Sequence, residues 1–210
     1  MVFCCGSWKS VRAQDSCCNG IVFDTIRRRG RGPKDSTVRL TEHFVARLPF
    51  SADLRVDVSE RAGCDVAPVN PASEHGKRRL LSFVWPDQRE RITRLSAACD
   101  LARAFPVTIE RAHASPWLAE KLAATRSGLA TVVFQTVVQQ YLEPSERIGL
   151  AETMAEAGRR ATPEAPLGYL TLEPQPHRVA NVLLRLWPGN RELELASASL
   201  HGRDIEWRGL

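Results

Sequence analysis

The sequence predicts an α/β domain of Rossmann-like type, with a mainly parallel sheet, helices on both faces and a C-terminal antiparallel hairpin. Three observations predict this fold class. Strand-like apolar runs alternate with helical periodicity along most of the chain, as in βαβ units. The segment Thr131–Phe134 is continuously β-branched or aromatic, which is typical of a strand buried on both faces. The last two predicted strands flank a short turn-forming link.

The first part of the chain differs from the rest. Residues 1–35 show no sustained periodicity and end in a basic run broken by glycine, residues 27–34. We therefore expect a disordered or non-homologous leader, 1–35, that contributes little to folding, followed by a partial Rossmann-like domain, 36–210. Short extended segments at 37–40 and 54–58 open the domain, and residues 63–76 have the turn-forming composition of a connection.

The later elements follow from helix-start residues and apolar spacing. Pro86 begins a helix whose apolar residues share one face as far as Phe105. Ser115 and Pro116 begin a second helix, and Pro144 begins a third that ends near Arg160. The predicted strands are residues 107–110, 131–134, 167–172, 182–186 and 191–196, of which the last two flank Pro188-Gly189-Asn190.

Charge and cysteine content exclude several functions. The net charge of +5 arises in the first 50 residues, and the remaining 160 hold twenty basic and twenty acidic side chains. The basic run 27–34 is an alternative nucleic-acid contact, but it lacks interleaved aromatic residues that stack on bases, so a solvated tail is favoured. The doublets Cys4-Cys5 and Cys17-Cys18 fit zinc geometry poorly, and we predict incidental thiols and no metal site.

No apolar run approaches the roughly 18 residues that a membrane span needs, and the chain does not begin with a secretory signal pattern. These features predict a cytoplasmic protein with no membrane partner. Phosphate-binding loops, paired metal-ligand histidines and nucleophile elbows are also absent from the sequence. The motifs therefore leave open whether the protein is an enzyme.

Four ordered segments resemble the bacterial domain-of-unknown-function family DUF2332. They are residues 61–70, 80–88, 131–142 and the late His201-Gly202 with Trp207, and the block Trp85-Pro86-Asp87-Gln88 carries most of the resemblance. The resemblance covers the chain from about Ser36 to the C-terminus. It implies a divergent relative of the S-adenosylmethionine-dependent methyltransferases, although fold does not settle function.

The resemblance also implies cofactor-binding residues, because ligands of this fold sit at the carboxyl ends of the strands. Asp65 would accept hydrogen bonds from ribose hydroxyls, His113 would contact adenine, and Gln135 and Thr136 would lie near the transfer site. Each residue has another interpretation: Asp65 as a turn residue, His113 and Gln135 as solvated groups, and Thr136 as a helix-terminus contact. Two positions, Asn70 and Gln135, depart from the family's usual acidic residue and histidine.

A further departure is the lack of a recognisable Gly-rich turn after a first strand, where the backbone approaches the ligand closely. A truncated or frame-shifted gene would explain that lack. We therefore expect weak or absent binding of S-adenosylmethionine and impairment of any methyltransferase-like activity. The alternative is a non-catalytic module that binds a protein partner at a sheet edge exposed where the first strand is missing.

Overall fold

The computed structural model describes residues 2–5, 37–38, 58–175, 179–199 and 204–208. The strands are β1 (Val2–Cys5), β2 (Arg61–Asp65), β3 (Ile109–Arg111), β4 (Thr131–Thr136), β5 (Leu167–Pro174), β6 (Val179–Trp187), β7 (Arg191–Ser199) and β8 (Glu206–Trp207). The α-helices are α1 (Glu74–Leu81), α2 (Arg89–Ala104), α3 (Ala114–Lys121) and α4 (Pro144–Arg160), and a 3₁₀ helix spans Gln139–Tyr141. None of the described helices is long and apolar enough to cross a bilayer.

The described strands form one mixed sheet in the order β3-β2-β1-β4-β5-β6-β7-β8. Neighbours from β3 to β5 pair in parallel, whereas β5 to β8 pair antiparallel. The two longest ladders, β5 with β6 and β6 with β7, each pair eight residues and are antiparallel. The prediction of a mainly parallel, Rossmann-like sheet is therefore wrong. Only four residues separate Pro174 from Val179, too few for the crossover that parallel strands need.

Strand β1 lies inside the sheet, between β2 and β4. Cys5 pairs with Cys64, and Cys4 pairs with Phe134. The sequence predicts no element in residues 1–35 and an unfilled position at the first strand, but β1 occupies that position. Among the described strands the sheet edges are instead β3 and β8. The domain boundary at residue 35 stays a prediction, and the basic run 27–34 lies outside the described residues.

The main core lies between one face of the sheet and helices α3 and α4. Val133 on β4, Leu118 on α3 and Met154 on α4 are each at most 2% exposed and share this core. The predicted strand at 131–134 is confirmed, and so is its neighbour at 167–172, because β4 pairs in parallel with β5. The predicted C-terminal hairpin is also present, as β6 and β7. Helices α1 and α2 share a separate, smaller cluster that contains Leu80 and Cys99.

Helix α1 falls in a region that the sequence predicts to be partly a connection. Its N-cap is Ser73, whose Oγ accepts a hydrogen bond from the Gly76 amide at 3.0 Å. Gly76 is required there because a Cβ atom would lie 1.8 Å from the Asn70 carbonyl oxygen. The composition that predicts a turn at residues 70–73 therefore also supplies the start of a helix.

Candidate functional site

The parallel strands end along one edge of the sheet, which we call the carboxyl edge. It is formed by Asp65, by Ala112 and His113, by the turn Thr136–Gln139 with the preceding Gln135, and by Glu173. From β1, strand order runs outward to β2 and β3 on one side and to β4 and β5 on the other. Open α/β sheets bind ligands outside the carboxyl ends of their strands at such a reversal. The carboxyl edge near β1 is therefore the candidate ligand site.

The buried polar side chains of the described residues all lie along this edge. They are Asp65 and Gln135, each 2% exposed, and Glu173, 9% exposed. Each occupies one of the last two positions of its strand, β2, β4 or β5. A buried polar group costs free energy unless it is hydrogen-bonded, and a buried charge costs more. Their concentration at one edge of the sheet is typical of a functional site.

Glu173 is the centre of a hydrogen-bonded cluster. Its Oε1 accepts hydrogen bonds from Gln135 Nε2 at 3.1 Å and from the Val138 amide at 3.2 Å, and its Oε2 accepts one from the Gln139 amide at 3.4 Å. Burial raises the pKa of Glu173 to about 6, although these three N–H donors oppose the shift. The carboxylate therefore connects the end of β5 to the end of β4 and to the turn that follows it.

That turn has a strained backbone. Val137 has a φ of +50°, in the left-handed region that a β-branched residue rarely adopts. Its amide donates to the Leu172 carbonyl oxygen at 2.8 Å, so strand β5 holds the residue in place. Strain of this kind persists only where the surroundings over-determine the conformation, and it clusters at binding and catalytic sites.

Asp65 ends strand β2 on the other side of β1. Its Oδ1 accepts a hydrogen bond from the Ala67 amide at 2.6 Å, and its carbonyl oxygen accepts one from the Ala112 amide at 3.1 Å. These bonds orient the carboxylate and tie β2 to the segment that leads into α3. Because strands are spaced about 4.8 Å apart, the backbones of β2 and β4 are roughly 10 Å apart across β1.

His113 lies at the same edge but differs in exposure. It is the N-cap residue of α3, its side chain is 73% exposed, and its Nδ1 lies 3.6 Å from Glu146 Oε1. The same Glu146 oxygen accepts a hydrogen bond from the Ala114 amide at 2.8 Å. The sequence predicts that Ser115 caps α3, but the cap is instead a carboxylate from α4.

The structure thus brings the four sequence-predicted residues to one edge. Asp65, Gln135 and Thr136 are the terminal residues of β2 and β4, and His113 follows β3. Their roles in ligand binding stay predictions. Among the described residues no group of three or more His, Cys, Asp or Glu side chains has a metal-binding arrangement. Cys64 and Cys99 are buried free thiols, and residues 17–18 lie outside the described residues.

Sequence reasoning missed three residues of the edge: Glu173, Val137 and Glu146. For Glu173 a signal existed, because it lies six residues after Leu167 on an alternating strand and so belongs to the same, core-facing face. A charged residue at an inward position is a conflict that marks a site. Nothing local predicts the left-handed φ of Val137, and the Glu146 contact joins residues 32 apart in the chain.

These features define the class of the protein: an α/β protein with one mixed sheet whose buried polar groups lie at the carboxyl edge, beside a reversal of strand order. The sequence profile of a family described as "Uncharacterized protein conserved in bacteria (DUF2332)" matches residues 21–207. The chain belongs to this family, as the resemblance implies, and the match begins before residue 36. No curated protein and no solved structure matches the chain.

Proposed function

We propose that the carboxyl edge binds a small nucleoside-type ligand, and that this ligand is the methyl donor S-adenosylmethionine. The observation that supports the proposal is that Asp65, Gln135 and Glu173, all buried, lie along one edge of the sheet on both sides of the point where strand order reverses. In this arrangement Asp65 accepts hydrogen bonds from ribose hydroxyls, His113 contacts the base, and Gln135 and Thr136 lie near the methyl group.

The charge of the edge supports a cationic ligand over a phosphate-bearing one. Its buried groups are two carboxyl groups and an amide, and none of the buried polar side chains of the described residues is a cation. Arg111 ends β3, but it is exposed and two strands away from β1. Buried carboxyl groups favour the sulfonium and amino groups of S-adenosylmethionine and disfavour a pyrophosphate, which carries more negative charge than the single carboxylate of the donor. The residues present therefore fit the methyl donor.

The proposal is that the protein binds the methyl donor. Transfer of the methyl group to a substrate is a separate activity that the proposal does not include. When bound, the donor supplies a methyl group on a positively charged sulfur. The sequence predicts weak binding because it shows no Gly-rich turn after a first strand. Strand β1 is present at the expected position, while residues 6–36 lie outside the described residues, so the argument for weak binding is untested.

Calorimetric titration of the full chain with S-adenosylmethionine tests the proposal. We expect measurable binding below millimolar donor, and a loss of about tenfold or more in Asp65→Asn, which keeps the shape of the side chain and removes its charge. Asp100→Asn is the matched control because Asp100 is exposed on α2 and paired with Lys77. Adenosine diphosphate should bind more weakly than the methyl donor. Absence of binding at millimolar donor, or tighter binding of the diphosphate, would overturn the proposal.

The second candidate function is docking of a protein partner by the connection between α1 and α2. Trp85 is 66% exposed and Phe83 38% exposed there, and exposed Arg78, Arg79 and Arg89 flank them. Exposed tryptophan beside arginine is typical of an interface hot spot. A partner identified by cross-linking to the unmodified chain should lose affinity in Trp85→Ala. It should keep its affinity in Phe105→Ala, which changes an exposed ring just beyond the far end of α2.

A further inference from the structure

Glu173 is a buried carboxylate whose hydrogen bonds all lead to the neighbouring strand and its turn. Two of its partners are the backbone amides of Val138 and Gln139, and the third is the Gln135 side chain. A backbone amide has one hydrogen to donate, so a carboxylate that accepts from two successive amides fixes the path of the chain between them. Glu173 therefore sets the conformation of the segment that follows β4.

The surroundings of Glu173 offer it neutral partners. Asn181 lies opposite it on β6, and Gln135 faces it from β4. No charged side chain is among the causes that shift its pKa, which are burial and the three N–H donors. Retaining a buried charge without a cationic partner is costly. If Glu173 served packing alone, a neutral residue of the same size would do so at lower cost.

The segment that Glu173 fixes is also the strained one. Val137, at a φ of +50°, precedes the two amides that bind the carboxylate. Together with the hydrogen bond from the Val137 amide to the Leu172 carbonyl oxygen, those bonds oppose relaxation of Val137 toward the common backbone regions. Relaxation would move Thr136 and the amide of Gln135, which lie next to the reversal of strand order.

We infer that Glu173 is a positioning residue of the carboxyl edge: its carboxylate holds the turn Thr136–Gln139 and the Gln135 amide in the arrangement that the ligand contacts. This inference rests on the proposed function. It assigns to Glu173 no direct contact with the ligand, because both of its oxygens already accept hydrogen bonds within the protein.

The first measurement needs no ligand. Amide NMR spectra of the full chain are recorded between about pH 5 and 8, and the Val138 and Gln139 resonances should titrate at the pKa of Glu173, about 6. In Glu173→Gln this titration should disappear. Glu192→Gln is the matched control, because Glu192 is an exposed residue of β7 that pairs with Arg185, and it should leave the titration unchanged.

The second measurement uses S-adenosylmethionine as the probe. Near pH 7.5 the affinity should fall about tenfold in Glu173→Gln and remain unchanged in Glu192→Gln. The affinity of the unmodified chain should also fall as the pH is lowered through about 6, the pKa of Glu173, because protonation removes an acceptor. Histidines titrate in a similar range, so the profile is repeated in His113→Gln, where the dependence due to Glu173 should persist.

The outcomes separate this inference from the proposed function. If the unmodified chain binds the probe and Glu173→Gln binds it equally well, the positioning role is overturned while the proposed function stands. The positioning role is likewise overturned if the Val138 and Gln139 amide resonances do not shift as the pH passes through the pKa of Glu173. If the unmodified chain does not bind the probe, the proposed function fails and the inference fails with it. Loss of both affinity and amide titration in Glu173→Gln alone supports both.

Discussion

Two turns of this protein have nearly the same left-handed backbone but different residues. Asn190 has a φ of +49° in the turn between β6 and β7, and Val137 has a φ of +50° after β4. Asparagine adopts this region at small cost, whereas the crowded Cβ of valine makes it unfavourable. The hairpin turn thus uses residues that suit its conformation, and the turn after β4 does not.

The two turns are also held differently. The hairpin turn has Gly189 before Asn190 and joins two strands paired over eight residues. The turn after β4 is held from outside, by the Leu172 carbonyl oxygen and the Glu173 carboxylate of β5. Local sequence therefore encodes the first conformation, and a neighbouring strand imposes the second. Strain is concentrated where we propose a ligand site.

The largest predicted effect concerns packing next to the hairpin turn. A Cβ atom at Gly158 of α4 would approach Trp187 Nε1 within 2.4 Å, and the ring is buried and cannot easily move. Gly158→Ala should therefore lower the free energy of unfolding by about 3 kcal/mol. Gly168→Ala is the control, because its nearest contacts would be at 3.6 Å, an ordinary distance. Urea denaturation measures both, and equal effects would show that the hairpin end is not held by this packing.

The next effect concerns the carboxylate that holds the other turn. The pKa of Glu173 is raised from 4.5 to about 6 by burial, so the folded state favours the protonated form. Protonated Glu173 therefore adds to the free energy of unfolding below pH 4.5, and this contribution is lost as the pH rises through about 6. The loss amounts to about 2 kcal/mol.

Urea denaturation at several pH values checks this linkage. The difference in free energy of unfolding between the unmodified chain and Glu173→Gln should change by that amount between pH values below 4.5 and pH values above the pKa of about 6. A constant difference for Glu173→Gln would mean that the carboxylate is not buried at a cost.

The smallest effect comes from exchanging the residues of the two turns. Asn190→Val should cost about 1.5 kcal/mol, because it places a β-branched residue at a left-handed position with nothing else to hold it. Val137→Asn should leave stability within about 0.5 kcal/mol, because relief of strain offsets the loss of a half-buried isopropyl group. Thermal unfolding of the two variants measures the asymmetry. Equal losses would show that the turn after β4 is not strained relative to the hairpin.

The elements that the sequence predicts well carry their own signals. Pro144 marks the start of α4, and the β-branched run at Thr131 marks β4, as the structure confirms. Strand β1 was missed because four apolar residues are too few to show a period. Strand β6 begins at Val179, three residues before the predicted start at Val182.

The candidate site was predictable in part. The rule that ligands sit at strand ends selects Asp65, Gln135 and Thr136, and the structure places them at one edge. The hydrogen-bond partners that orient these residues come from other strands and helices. They therefore cannot be identified without the three-dimensional structure. The contact of Gln135 with Glu173, 38 residues later, is of this kind.

Helix α3 illustrates a consequence for folding and local opening. It has eight residues and receives no side-chain cap from its own N-cap residue, while its first amide donates to Glu146 of α4. An isolated helix of this length is unstable in water, and its missing cap is supplied only after α4 has docked. We therefore expect α3 and the first turn of α4 to exchange their amide hydrogens together, as one cooperative unit whose formation closes a long loop that contains β4.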